Sequence, residues 1–172
     1  MLSDKLKDKI GKYQDFPTKG ILFRDITPIL RDQKLFSELI EKMSESDFLR
    51  KAECLVAIDA RGFIFGSSIA LNLSKPFILA RKPGKLPGEL IKSSYKLEYG
   101  ENSLVLQLDS LKNFKSFGII DDLLATGGTV NAVANLLNQK NKIITGLSVV
   151  VELTELNARS NFNFEVSSEV KY

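Results

Sequence analysis

Apolar and polar positions along the chain fall into two periods. Leu2, Leu6, Ile10 and Tyr13 recur at helical spacing and predict a helix over residues 1–13. Pro17, Gly20 and Pro28 then interrupt the pattern, so 15–30 reads as loop with a short extended piece. Leu35, Leu39, Ile40 and Met43 predict a helix from about Asp32 to Met43, which can extend through SESDFLRK (44–51). CLVAID (54–59) is a continuous apolar run ending in an acid, the pattern of a parallel strand buried on both faces. GFIFGSSIALNLS (62–74) reads as a helix of small and apolar residues, and PFILARK (76–82) as a second strand. SLVLQLD (103–109), FGIID (117–121) and IITGLSVVVEL (143–153) predict three more strands. GGTVNAVANLLNQKN (127–141) predicts the helix between the last two, and NFEVSSEVKY (163–172) a final edge strand. This alternation predicts an α/β domain with a mostly parallel central sheet flanked by helices.

The stretch 83–103 stands apart. It is polar, holds Pro83, Gly84, Pro87, Gly88 and Gly100, and is long for a connection inside one domain. It reads as a flexible lid, with SSYKLEY (93–99) as a possible hairpin arm.

Composition narrows the chemistry. With 172 residues the chain is one domain, 1–172, large enough for a full core. A net charge of +3 is too weak to argue for nucleic acid without clustering. The apolar runs are too short to span a membrane, and the charged start MLSDKLKDKIGKY predicts no secretory leader. One cysteine, Cys54, permits no internal disulfide, which suits the cytoplasm, and it reads as a small buried apolar residue. There is no histidine, so Ser-His-Asp catalysis, Cys-His catalysis and His-ligated zinc are excluded. Acid–base work must fall to carboxylates, Lys, Tyr or the substrate.

Ligands of open α/β sheets bind at the carboxyl ends of strands. Three predicted strands end in charge: Asp59 with Arg61, Arg81 with Lys82, and Asp121 with Asp122. Each alone could be a solvated strand end; together they define a candidate site. Ala125-Thr126-Gly127-Gly128-Thr129 joins a strand to a helix. Its glycines allow close backbone approach and the helix N-terminus attracts an anion, so a phosphate belongs there. Neither the Lys-containing phosphate loop of nucleotide hydrolases nor the dinucleotide G-x-G-x-x-G is present. Asp121 and Asp122 precede the turn, and like charge keeps them off the phosphate. Carboxylates accept well from vicinal hydroxyls, so a 5-phosphorylated ribose fits the string, with its hydroxyls on the two acids.

IIDDLLATGGT resembles the phosphoribosyl pyrophosphate signature of the type I phosphoribosyltransferases. DFPTKGILFRDITPIL, IDARGFIFG, ARKPGKLPG, SYKLEYG and VVELTEL resemble, in order and spacing, the adenine phosphoribosyltransferase family. The resemblance covers nearly the whole chain. It implies the type I fold with a small N-terminal hood (about 1–30) and a lid (about 83–103). It implies purine salvage: adenine and 5-phosphoribosyl 1-pyrophosphate give AMP and pyrophosphate, with Mg2+ held mainly by the pyrophosphate and the ribose hydroxyls. By position, Ala125 to Thr129 would hold the 5-phosphate and Asp121 and Asp122 the ribose. Arg61, Arg81, Lys82 and Lys85 would face pyrophosphate, with Arg61 catalytic. Leu22, Phe23 and Arg24 would border adenine, although Phe23 also reads as plain core. Glu98 falls where the family places its catalytic carboxylate, and Tyr99 beside it would shape the lid. The resemblance further implies a cis peptide in the DAR loop, at Asp59–Ala60, and a homodimer. Ala60 stands where many relatives carry Ser, and the C-terminal FEVSSEVKY matches loosely. Two other readings are a nucleotide-binding regulator of this fold, for which a basic face is lacking, and a sibling enzyme for another base such as xanthine or guanine.

Overall fold

The computed structural model describes residues 1–97 and 100–172. In chain order, α1 (Leu2–Lys9) leads into β1 (Gly11–Gln14), β2 (Leu22–Asp25) and α2 (Thr27–Leu30). Next come α3 (Gln33–Ser44), α4 (Asp47–Lys51), β3 (Cys54–Ile58), α5 (Gly62–Asn72) and β4 (Phe77–Ala80). β5 (Leu90–Leu97), β6 (Gly100–Gln107) and α6 (Leu108–Leu111) follow. The chain closes with β7 (Ser116–Leu124), α7 (Gly128–Gln139), β8 (Ile143–Glu152), two 3-10 turns (Thr154–Leu156, Ala158–Asn161) and β9 (Glu165–Lys171).

The central sheet has the order β4-β3-β7-β8-β9, and every neighbouring pair is parallel. Helices cover both faces, so β3 is buried along its whole length. This is why its sequence shows no alternation. One apolar layer joins α7, Leu104 and Leu106 of β6, and the sheet; the other joins α1 to α5 and the opposite face. α3 starts where predicted: the Asp32 carboxylate accepts from the Leu35 amide at 3.2 Å, and Leu35, Leu39, Ile40 and Met43 are buried.

Connections from β3 run to β4 on one side, and from β7 to β8 and β9 on the other. The crevice at such a reversal is where open α/β sheets bind ligands. Here it lies beyond the carboxyl ends of β3 and β7.

Four expectations change. The first helix stops at Lys9, and Tyr13 belongs to β1, which pairs antiparallel with β2 (Tyr13 opposite Phe23). The helix expected from about Asp32 to Met43 is α3, but it does not extend through 44–51: the chain breaks at Glu45–Ser46 and α4 is separate. The strand read at 103–109 is β6, which ends at Gln107 and pairs with β5 in a separate two-stranded ribbon. The hairpin arm read within 93–99 is therefore β5, which starts earlier, at Leu90; of the stretch read as a lid, 83–103, residues 90–97 and 100–103 are ribbon. Finally, β7 runs on to Leu124, so Asp121 and Asp122 sit within the strand.

Candidate active site

Two segments meet in the crevice. After β3, Asp59-Ala60-Arg61 turns into α5, and the Asp59–Ala60 peptide is cis. After β7, Ala125 to Gly127 turn into α7. They enclose a cavity of about 320 Å³ lined by Asp59, Arg61, Asp121, Asp122, Ala125, Thr126, Gly127 and Thr129 among others.

Gly127 has φ of +83°, the left-handed region that favours glycine. A side chain there would also be crowded: a Cβ would fall 2.9 Å from Phe162 Cζ and 3.3 Å from Ala158 Cβ. No side chain caps α7, so its first-turn amides are left for a ligand. Positive dipole and uncapped amides suit this end of the cavity to an anion.

The other end is acidic and buried. Asp121 and Asp122 are 7% and 6% exposed. The Asp122 amide donates to Asp121 Oδ1 at 2.9 Å. Gly62 makes room for this carboxylate, since a Cβ there would lie 2.9 Å from Asp121 Oδ1. Arg61 Nε approaches Asp122 Oδ2 to 2.9 Å, but the contact is charge on charge and lacks hydrogen-bond alignment. Asp122 Oδ2 is thus a buried acceptor with no hydrogen-bond donor among the described residues. Burial pushes the Asp121 carboxyl well above its ordinary value, and the neighbouring Asp122 charge pushes it further. Burial also raises Asp122, against the pull of Arg61. Two adjacent buried carboxyls, with Asp122 Oδ2 left without a donor, call for a ligand that brings donors.

The predicted cations are arranged less simply than their sequence suggests. Arg61 borders the cavity, with its guanidinium 5.3 Å from the Phe23 ring centre. This brings one of the three hood residues to the edge of the site. Arg81 lies just beyond β4, bridged to Val105 of β6. Its Nε donates to Asp59 Oδ2 at 3.1 Å. Lys82 and Lys85 are exposed on the following turn, outside the cavity lining. Leu22 is 41% exposed. Arg24 turns away to lie 3.8 Å from the centre of the Tyr172 ring. Glu98 and Tyr99 lie outside the described residues.

One group escaped the sequence reading. Glu152, the last residue of β8, is 4% exposed and is gripped by Arg159 from the second 3-10 turn. The available signal was an acid closing the apolar run SVVVE, with an arginine seven residues on. Cys54 is buried as expected, and burial pushes its thiol up to about 11, which keeps it unreactive at neutral pH.

Comparison with known proteins agrees with this geometry. The profile of the phosphoribosyl transferase domain matches residues 26–164. An adenine phosphoribosyltransferase of Prochlorococcus marinus (strain MIT 9215) is 96% identical over 172 residues, the full length of both chains. The adenine phosphoribosyltransferase of Thermoanaerobacter pseudethanolicus superposes with a TM-score of 0.94 at 40% identity, covering 100% of both chains. That of Saccharomyces cerevisiae, solved with adenine and an imino-altritol bisphosphate, gives 0.90 at 34% identity over 98% of each. With a domain match over most of its length and full-length relatives well above the threshold of chance, the chain belongs to the phosphoribosyltransferase family, in its adenine phosphoribosyltransferase branch.

Proposed function

We propose that this crevice is where the chain transfers phosphoribosyl from 5-phosphoribosyl 1-pyrophosphate to adenine, giving AMP and pyrophosphate. The observation that carries the assignment is the pairing, within one cavity, of an uncapped helix N-terminus with two adjacent buried carboxylates, one of which, Asp122, leaves Oδ2 without a hydrogen-bond donor among the described residues. A ribose 5-phosphate has complementary ends: a dianion for the helix and vicinal hydroxyls for the acids.

In this reading Thr126, Gly127, Gly128 and Thr129 hold the 5-phosphate with backbone amides and hydroxyls. Asp121 and Asp122 accept from the two ribose hydroxyls. Arg61 exchanges its contact with Asp122 for the leaving pyrophosphate, where developing charge is largest. Arg81, Lys82 and Lys85 add positive charge along the same side. Leu22, Phe23 and the main chain at Arg24, whose side chain lies on Tyr172, border adenine. Glu98 takes part in moving the proton of the adenine imidazole ring, a role supported by the family resemblance and the absence of histidine. Segment 83–103, with Tyr99, closes over the site and excludes water from the reactive sugar.

Mg2+ suits the donor set as a cation shared with the substrate. Among the described residues no group of three His, Cys, Asp or Glu could hold a metal. Mg2+ would be held mainly by the pyrophosphate and the ribose hydroxyls, which Asp121 and Asp122 would orient, with no protein ligand assigned. Bound there, Mg2+ supplies charge neutralisation for the leaving group. A cytoplasmic homodimer completes the proposal. Family membership supports the dimer, and the single buried Cys54 suits a reducing compartment. Among the described residues no helix is long and apolar enough to cross a membrane.

A pyrophosphate-release assay with adenine, hypoxanthine, guanine and orotate tests the reading. Adenine should be the preferred acceptor; turnover favouring another base would overturn it. Glu98→Gln should lower kcat by about 10²–10⁴-fold with little change in AMP affinity. Single-turnover chemistry within about threefold of the parent would remove Glu98 from the mechanism.

A further inference from the structure

The turn that follows β8 lies against the phosphate cradle. Leu153 donates its amide to the carbonyl of Leu124, the residue just before the cradle, at 2.9 Å. The chain then passes through Asn157, whose φ of +47° is left-handed, into the 3-10 turn Ala158–Asn161. Ala158 and Phe162, at the two ends of this turn, are the side chains that crowd Gly127. Arg159 lies between them and outside the cavity lining.

Arg159 is the anchor of this turn. Its Nε donates to Glu152 Oε1 at 3.0 Å and its Nη2 to Glu152 Oε2, a two-point grip. Its Nη1 donates to the carbonyl of Val166 on β9. Ser168 of β9 donates from its hydroxyl to Glu152 Oε2 at 2.6 Å. One guanidinium therefore joins the end of β8, the turn and the edge strand. A planar fork with fixed donor directions does this; a lysine ammonium offers a single point charge.

We propose that Arg159, locked by Glu152 and Ser168, is a positioning residue for the sugar 5-phosphate. It holds Ala158 and Phe162 against Gly127 and so fixes the amides of the cradle in the geometry that binds phosphate. The inference rests on placing the 5-phosphate at residues 125–129. A cradle whose backing shifts by a fraction of an ångström loses alignment with every phosphate oxygen at once. The effect belongs to binding of phosphoribosyl pyrophosphate and AMP, while adenine, bound elsewhere, is untouched.

Steady-state kinetics of the full chain test this. Arg159→Ala should raise KM for phosphoribosyl pyrophosphate about tenfold, with kcat and adenine KM within about threefold. Arg159→Lys should recover part of the loss, and Ser168→Ala should show a smaller change of the same kind. Phe162→Leu leaves the ion pair intact but withdraws the ring from Gly127. It should give the same selective rise, and it serves if Arg159→Ala does not fold. An unchanged KM for phosphoribosyl pyrophosphate in folded Arg159→Ala and Phe162→Leu overturns the proposal. So does a parallel loss in kcat and both KM values. Thr129→Ala is the control for the site itself. If it raises this KM while the Arg159 and Phe162 variants do not, the positioning role alone fails. If it leaves KM unchanged, the placement of the phosphate fails, and the proposal with it.

Discussion

Asp121–Asp122 and Glu152 are both buried acids on adjacent parallel strands, β7 and β8, yet their surroundings differ in kind. Glu152 meets an arginine fork and a serine hydroxyl, and Arg159 holds its carboxyl below the usual range. Asp121 and Asp122 meet each other, one backbone amide and an unaligned arginine, and burial holds both above it. A buried charge whose acceptors are filled by the protein is costly to disrupt, since removing one partner strands the other. One whose acceptors are left open reserves them for a ligand. The same residue class is thus satisfied by the protein in one place and left with an open acceptor in the other.

Removing each charge in turn sharpens the contrast. Asp122→Asn should cost about 10²-fold in kcat/KM for phosphoribosyl pyrophosphate, by loss of charge-assisted bonds to the ribose, while the fold stays intact. Initial rates with saturating adenine measure this. An Asp122→Asn enzyme of near-parental kcat/KM would place the ribose elsewhere. Glu152→Gln should lower stability, because it leaves Arg159 without its counter-charge, and by loosening Arg159 it should also raise KM for phosphoribosyl pyrophosphate by less than Arg159→Ala does. A loss of about 1–3 kcal/mol, read as a melting point lower by about 3–9 °C, is expected. Unchanged melting would show that the grip adds nothing to the fold.

How much of this was legible follows from range. The apolar runs of β3, β7 and β8 announced the sheet because burial on both faces removes alternation. The strand–turn–helix at Ala125–Thr129 was legible because its parts are consecutive in the chain, and Gly127 stands where a left-handed turn meets a crowded contact. Long-range pairing was not legible. Arg81 looks free in ARKPGK, but its partner Asp59 lies 22 residues earlier, across a β–α–β crossover. Arg159 is joined to Glu152 through irregular turns that have no period to read. Tyr13 fits a helical spacing, yet Gly11 begins a strand that pairs with β2, and that pairing prevails over local pattern.

The smallest expected effect is in pH dependence. The ordinary carboxyl value for Asp121 is 3.8, and the fold raises it. Between that value and the raised one, the native chain binds more protons than the unfolded one, so its stability falls as pH rises. Glu152 has the opposite sign: its pKa is lowered from 4.5, and its contribution is present above that value and lost as pH falls through the lowered one. Ligand-free Asp121→Asn should therefore lose less stability between about pH 4 and neutrality than the parent does. Denaturant melts across that range provide the slopes, and equal slopes would mean that Asp121 titrates normally.

The account turns on the claim that the pocket acids are charges left open for a sugar. Scanning calorimetry of the parent and of Asp121→Asn at neutral pH, each with and without phosphoribosyl pyrophosphate and Mg2+, tests it most directly. The account predicts that Asp121→Asn melts higher than the parent when ligand-free, since a buried carboxylate has been relieved, and that most of the ligand-induced rise in melting temperature is lost. A lower ligand-free melting point together with an undiminished ligand-induced rise would contradict it.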